Sequence, residues 1–207
     1  MNYSGISECD VLNGTGFRTV LFVSGCDHKC HGCHNPETWN KNFGHPFTEK
    51  IKEYILECLS KDYIDGITIT GGDPLNENNL DGVLDLITTI REKYPIFEKS
   101  DSENPYKSMV LEVENPDKTR LFSDKTIWLY SGYEWTQIMN PIITDDLKST
   151  INADKRKRIV SKCDVLIDGR YIDSQRDITL KWRGSKNQRV IDVQESLKQN
   201  KIILHCE

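Results

Sequence analysis

The 207-residue chain has no apolar run approaching the ~20 residues of a membrane-spanning helix, which excludes an integral helical membrane protein. Positive charge is in deficit. Lysine and arginine number 27 against 32 aspartates and glutamates, a formal net charge of −5, so a basic nucleic-acid-binding surface is not expected. Residues Met1 to Gly16 show no basic start followed by an apolar stretch. No secretory signal is therefore expected, and a cytoplasmic location is. The apolar share is low as well: 37% hydrophobic residues, which stays below the ~45–50% of an average globular chain when glycine is added and tyrosine removed. Internal repeats and low-complexity tracts are missing. The length nevertheless suffices for a core without disulfide staples and suggests one domain spanning residues 1–207. The seven cysteines are an odd number, and three fall within eight residues. Without an export signal, that crowding argues for reduced thiols at a metal or cluster site and against a disulfide framework.

Elements alternate along the chain. Phe17 to Ser24 is β-branched and aromatic and reads as a buried strand. Gly25 to Pro46 is a loop with three cysteines and four of the five histidines. Thr48 is placed to cap a helix whose apolar face would carry Ile51, Tyr54, Ile55, Cys58 and Leu59. A short strand, Gly66 to Thr70, runs into Gly71-Gly72-Asp73-Pro74. The next helix aligns Leu80, Val83, Leu84, Ile87, Ile90 and Tyr94. Strand–helix alternation predicts βαβ units and a mainly parallel sheet. Pro95 to Lys125 interrupts it and reads as an insertion, with a strand or hairpin near Met109 to Val113. Thr126 to Tyr130 is again a strand, followed by Ser131-Gly132-Tyr133. Glu134 to Lys162 reads as helical with a break near Pro141, Val165 to Ile167 as a strand, and the chain closes on one further strand or helix. The basic run Asp154-Lys155-Arg156-Lys157-Arg158 is expected to be a solvated helix face.

Cys26-Asp-His-Lys-Cys30-His-Gly-Cys33 is a C-x3-C-x2-C run directly after a strand. Soft thiolates suit zinc or an iron–sulfur cluster. Three thiolates on one loop can hold three irons of a cubane and leave the fourth without a protein ligand. The competing reading is a closed zinc site completed by His28, His31, His34 or His45, but no second C-x2-C knuckle is present to favour it. Cys9, Cys58, Cys163 and Cys206 are scattered and are expected to be small buried hydrophobes.

C-x3-C-x2-C resembles the motif of the radical S-adenosylmethionine (SAM) enzymes. Gly71-Gly72-Asp73-Pro74 matches that family's GGEP-type turn with Asp for Glu. Asn13-Gly14-Thr15-Gly16-Phe17-Arg18 resembles the NGPG-x-R opening of glycyl-radical activases, with Thr15 replacing proline. Phe22 to Cys26, His28 and Gly32-Cys33-His34-Asn35 extend the likeness, as do Val165 to Tyr171. Arg183-Gly184-Ser185-Lys186-Asn187-Gln188 is similar to the RGS-x-NQ element of the anaerobic ribonucleoside-triphosphate reductase-activating family. The resemblance covers nearly the whole chain apart from Pro95 to Lys125 and an extended C-terminus.

That resemblance implies a partial, incomplete parallel β/α barrel of the small radical-SAM type, and a 4Fe-4S cluster held by Cys26, Cys30 and Cys33. SAM would meet the backbone of Gly32, Cys33 and His34 on its adenine side and Gly72 through its amino group. His34 stands where relatives often carry an aromatic residue. Reductive cleavage of SAM would yield a radical that takes a hydrogen atom from a glycine of the reductase's large catalytic subunit. No general acid or base is needed, and Asp73 reads as a lock on its turn. The implied partners are that subunit and a low-potential electron donor such as flavodoxin, with no nucleic acid and no membrane; a homodimer is compatible. Arg183 to Arg189 reads equally as docking surface or structural turn. The rival readings are an activase of another glycyl-radical enzyme, a small-molecule enzyme such as a 7-carboxy-7-deazaguanine synthase, an electron-transfer protein, and a zinc-stabilised binding module without catalysis.

Overall fold

The computed structural model describes residues 1–96, 125–142 and 145–206. The predicted insertion, including the hairpin expected near 109–113, therefore lies outside the described residues except at 95, 96 and 125. Among the described residues, eight strands form one open sheet in the order β3-β1-β2-β4-β5-β6-β7-β8. They are β1 (Asn2–Asp10), β2 (Arg18–Val23), β3 (His45–Pro46), β4 (Gly66–Gly71), β5 (Thr126–Tyr130), β6 (Val165–Asp168), β7 (Arg189–Asp192) and β8 (Ile203–Leu204). The parallel part is central, β2-β4-β5-β6, while β1 and β3 on one side and β7 and β8 on the other are antiparallel. The sheet is mixed and does not close.

Helices α1 (Glu49–Leu59), α2 (Leu80–Lys93), α3 (Trp135–Met139) and α4 (Leu147–Ser161) lie in the crossovers between parallel strands, and α5 (Val193–Gln199) follows β7. Successive strand side chains alternate between faces. Leu21, Val23, Ile67, Ile69, Ile127, Leu129 and Leu166 join Ile55, Leu59, Val83, Ile87, Ile90, Ile159 and Val160 of the helices in the main core. On the other face Trp128, Val165, Ile167 and Val190 pack with Tyr130, Trp182 and Cys206.

That second face also buries Arg18 completely. Its Nε donates to Thr68 Oγ1 at 2.8 Å, Nη1 to Thr126 Oγ1 at 2.9 Å, and Nη2 to the carbonyls of Ile67 at 2.6 Å and Thr126 at 2.8 Å. The guanidinium lies 5.2 Å from the Trp128 ring centre. Burial pulls its pKa down to about 10, which leaves it charged at neutral pH. A buried cation is tolerable only with its donors satisfied, and here carbonyls and hydroxyls of two strands, β4 and β5, satisfy them. The arginine that ends the NG-x-G-x-R opening thus pins its turn to the sheet.

Several expectations need correction. β1 was not anticipated: Asn2–Asp10 lacks the β-branched density of a central strand, and its pairing with β2 and β3 supplies the order. In α1 the core face includes Lys52 while Tyr54 is exposed, bonded to Glu8. Lys52 reaches Asp85 at 2.9 Å and Glu49 at 3.2 Å, so its stem is buried and its charge paired. Thr48 occupies the cap position of α1 without a side-chain cap bond. Cys9 is exposed and Cys206 only partly covered, unlike the buried Cys58 and Cys163. The basic run is not simply solvated: Lys155 pairs with Asp81 at 2.5 Å, and Arg156 turns inward. The chain end is strand, helix and strand rather than one element.

The parallel register aligns Val23 with Gly71 and Tyr130 with Ile167. The loops leaving β2, β4, β5 and β6 consequently share one edge, the carboxyl ends of the parallel strands, where open α/β sheets place their ligands.

Candidate iron–sulfur site at the carboxyl edge

The cysteine loop leaves β2 and closes on itself. Gly25 N–H donates to Thr38 O at 2.7 Å, Cys26 N–H to Trp39 O at 3.2 Å, and Cys33 N–H to Cys30 O at 3.2 Å. Cys26, Cys30 and Cys33 are free and partly buried. Desolvation, reinforced by the nearby Asp73 carboxylate, pushes the Cys26 thiol up to about 11; desolvation also raises Cys30. Such thiols bind metal only by releasing protons, which the charge of the metal drives. Among the described residues no three His, Cys, Asp or Glu side chains converge as ligands of a single ion would. A closed zinc site draws its donors to within ~2.0–2.3 Å of one atom, whereas a cluster distributes its thiolates over separate irons.

The GGDP turn lies directly beneath this loop. Gly72 N–H donates to Val23 O at 2.7 Å and Asp73 N–H to Gly25 O at 2.9 Å. A Cβ on Gly72 would stand 2.7 Å from Gly25 O, so only glycine lets the two backbones meet. Asp73 is buried and accepts from Leu75 N–H at 2.8 Å, Ser131 Oγ at 2.9 Å and Gly132 N–H at 3.0 Å. Its Oδ2 also lies 2.7 Å from His28 Nε2, both side chains being under 10% exposed at 9% and 2%. The turn is locked as expected. What was not expected is that the same carboxylate ties the turn to the cysteine loop and to the loop after β5.

Tyr133 extends this contact outward. Its ring meets His28 edge-on at 4.8 Å, and Arg156 of α4 covers the same ring at 4.4 Å. A cavity of about 410 Å³ opens between His28 and Cys30, Gly132 and Gln137, and Arg170 and Tyr171. A second cavity of about 540 Å³, lined by Lys29, Pro36, Trp39 and Phe43, lies on the outer side of the cysteine loop and touches none of its thiols.

The fourth wall follows β6. Gly32, left-handed at φ 73°, packs so that a Cβ would meet Asp173 Oδ1 at 2.8 Å and Tyr171 Cε1 at 3.3 Å. His34 is exposed, with its ring 6.3 Å from that of Tyr171. The Arg183–Arg189 stretch makes structural bonds to this wall. Gln188 Nε2 donates to Gly169 O at 3.0 Å, Asn187 Nδ2 to Arg170 O at 2.8 Å, and Ile172 N–H to Ser185 Oγ at 3.2 Å. Arg189 grips Asp168 through Nε at 3.0 Å and Nη2 at 2.5 Å. Asp168 in turn accepts from Trp135 N–H at 2.8 Å.

The structure thus brings Cys26, Cys30, Cys33, Gly32 and Gly72 to one edge, with His34 at its outer rim. Sequence reasoning missed Ser131, Tyr133, Arg156 and Tyr171 as site residues. Tyr171 closes the Val165 to Tyr171 stretch that extends the likeness, and Arg156 sits in the basic run, where its neighbours disguised it. The thiol set and the close backbone approach at Gly72 fit a cluster with a ligand beside it.

The chain matches the family model of a 4Fe-4S single cluster domain over residues 12–104 and 106–191. It is 34% identical over 192 residues to the anaerobic ribonucleoside-triphosphate reductase-activating protein of Enterobacteria phage T4, covering 92% of this chain and 93% of that protein. This chain belongs to that family. Its likeness to the activating proteins of Vibrio cholerae serotype O1, 33% over 91% of this chain and 96% of that one, and of Escherichia coli K12, 33% over 92% and 97%, is of the same kind. Membership of the activating family, with its 4Fe-4S domain, makes the chain an iron–sulfur protein of redox function. Among the described residues no helix is long and apolar enough to cross a membrane.

Proposed function

We propose that this chain activates an anaerobic ribonucleoside-triphosphate reductase by reductive cleavage of SAM at a 4Fe-4S cluster bound to Cys26, Cys30 and Cys33. The observation that carries the reading is the hydrogen-bonded seat of the cysteine loop on Gly72 and Asp73, beside a cavity that His28 and Cys30 of the same loop line. Held by Cys26, Cys30 and Cys33, the cluster would supply the one-electron reduction that splits SAM into methionine and a 5′-deoxyadenosyl radical, and that radical would take a hydrogen atom from a glycine of the reductase.

The protein's own part is placement. Carbonyl groups around Gly72 would accept from the SAM amino group, and the backbone of Gly32 to His34 would meet the adenine. His28, Gly132 and Tyr171 narrow the cavity and displace water. The parallel strands form an incomplete β/α barrel whose open side admits a glycine loop from the reductase's large subunit. Flavodoxin or a donor of similar potential supplies the electron in the cytoplasm.

The test reconstitutes the protein without oxygen, assays iron and sulfide, and adds reductant, SAM and the reductase large subunit. A glycine-centred doublet in the electron paramagnetic resonance (EPR) spectrum is expected. Zinc at one equivalent without labile sulfide would end this account. 5′-Deoxyadenosine formed without the doublet would redirect it to a small-molecule substrate.

A further inference from the structure

Arg156, Tyr133 and His28 form a stacked column from α4 to the cysteine loop. Arg156 Nε donates to Leu75 O at 2.9 Å, on the turn that Asp73 opens, and its Nη2 donates to the Tyr133 hydroxyl at 3.1 Å. The guanidinium covers one side of the Tyr133 ring, and His28 meets that ring edge-on. Tyr133 is fastened further along its backbone: its N–H donates to Ser131 Oγ at 3.1 Å, and its carbonyl accepts from Gly169 N–H at 3.2 Å. His28 is then held from beneath by Asp73. Four chain segments, from β2, β4, β5 and β6, therefore meet through one tyrosine and the arginine behind it.

A solvated lysine or arginine would spread its charge into water and hold nothing. Arg156 instead spends two nitrogens and its planar face on a turn and a ring, the geometry a guanidinium offers and an ammonium does not. Burial raises the Tyr133 phenol, so it stays neutral and able to accept from Arg156.

We propose that Arg156 and Tyr133 are positioning residues for SAM: through His28 they set the height of the Cys26–Cys33 loop over the Gly72 backbone. The proposal rests on the reading of this cavity as the SAM site. Neither residue touches the reacting atoms, so their loss weakens SAM binding more than turnover once SAM is bound.

The experiment uses reconstituted full-length protein. Arg156→Ala is expected to keep its iron and sulfide and the spectrum of its reduced cluster without SAM, yet to bind SAM roughly tenfold more weakly, the scale of one lost cation–π contact and hydrogen bond. Its rate of 5′-deoxyadenosine formation at saturating SAM stays near the wild-type rate, and Arg156→Lys recovers part of the affinity. Amide hydrogen exchange across residues 26–33, measured without SAM, should be faster in Arg156→Ala. Unchanged exchange and unchanged SAM affinity would overturn the inference. Should Arg156→Ala fail to hold a cluster, Tyr133→Phe, which removes only the hydroxyl, decides: SAM affinity equal to wild type overturns it. A wild-type cluster whose spectrum ignores SAM defeats the functional reading instead, while the exchange comparison still judges the column.

Discussion

Gly132 backs directly onto the imidazole of His28: a Cβ built on it would stand 2.6 Å from Nε2 and 2.8 Å from Cγ. The contact joins the loop after β5 to the centre of the cysteine loop, with Asp73 beneath both. Gly132→Ala must push His28 off Asp73. We expect it to lower stability by about 1–3 kcal/mol, the usual cost of overpacking, and to reduce iron bound per chain. Gly5→Ala is the control, because a Cβ there has nothing within 4 Å. Denaturant unfolding with iron analysis distinguishes the two.

Cys26→Ser, Cys30→Ser and Cys33→Ser should each abolish stable cluster binding, since oxygen ligands suit iron–sulfur clusters poorly. Cys9→Ser and Cys206→Ser, on exposed or partly covered positions, should leave iron, sulfide and the visible absorption unchanged. Loss of iron in Cys206→Ser with retention in Cys30→Ser would refute the assignment of ligands.

Asp73 stands where the resembling enzymes carry glutamate. Its carboxylate is fully engaged by Leu75, Ser131, Gly132 and His28 in a buried site. Asp73→Glu therefore does not restore a better motif but adds a methylene where none fits. A loss of about 1–3 kcal/mol is expected. Asp73→Ala, which strands several donors, should cost more, about 3–5 kcal/mol. Urea unfolding of the metal-free protein measures both, and a stabilised Asp73→Glu would contradict the packing described.

Alkaline pH should destabilise the metal-free protein. Burial raises the Cys163 thiol and the Tyr130 phenol above their ordinary values of 9.0 and 10.0. Between the unfolded and folded pKa values the native state binds more protons, so stability is complete below about pH 8.5 and falls as pH rises. Cys163→Ala should flatten the fall between pH 9 and 11 although it lowers stability at neutral pH. Parallel profiles for the two proteins would show that Cys163 ionises in the folded state as easily as in the unfolded one.

Much of the site was legible from spacing alone. C-x3-C-x2-C after a β-branched strand located the thiols, and GGDP after the next strand located the close backbone approach. Parallel order brought them together because the crossover helix returns the chain to the same edge. The two open readings of Arg183–Arg189 were not separable from residue types. Amide and hydroxyl side chains serve a partner or their own backbone equally well, and only the bonds from Ser185, Asn187 and Gln188 to residues 169–172 show the internal use. β1 escaped notice because an edge-side strand draws its order from its neighbours.

By itself the amino-acid sequence determined the alternating elements, the position of the three thiols and the glycine turn below them, since these follow from local periodicity and from backbone freedom within a few residues. The tertiary structure alone decided that Asp73 would grip His28, and that Arg156, rather than the basic residues on either side of it, would turn onto Tyr133. Those partners lie far apart along the chain, and their side chains become partners only once the sheet has set its edges and water has been removed between them. A charge on a helix is drawn to solvent unless folding leaves a carbonyl and an aromatic face within its reach.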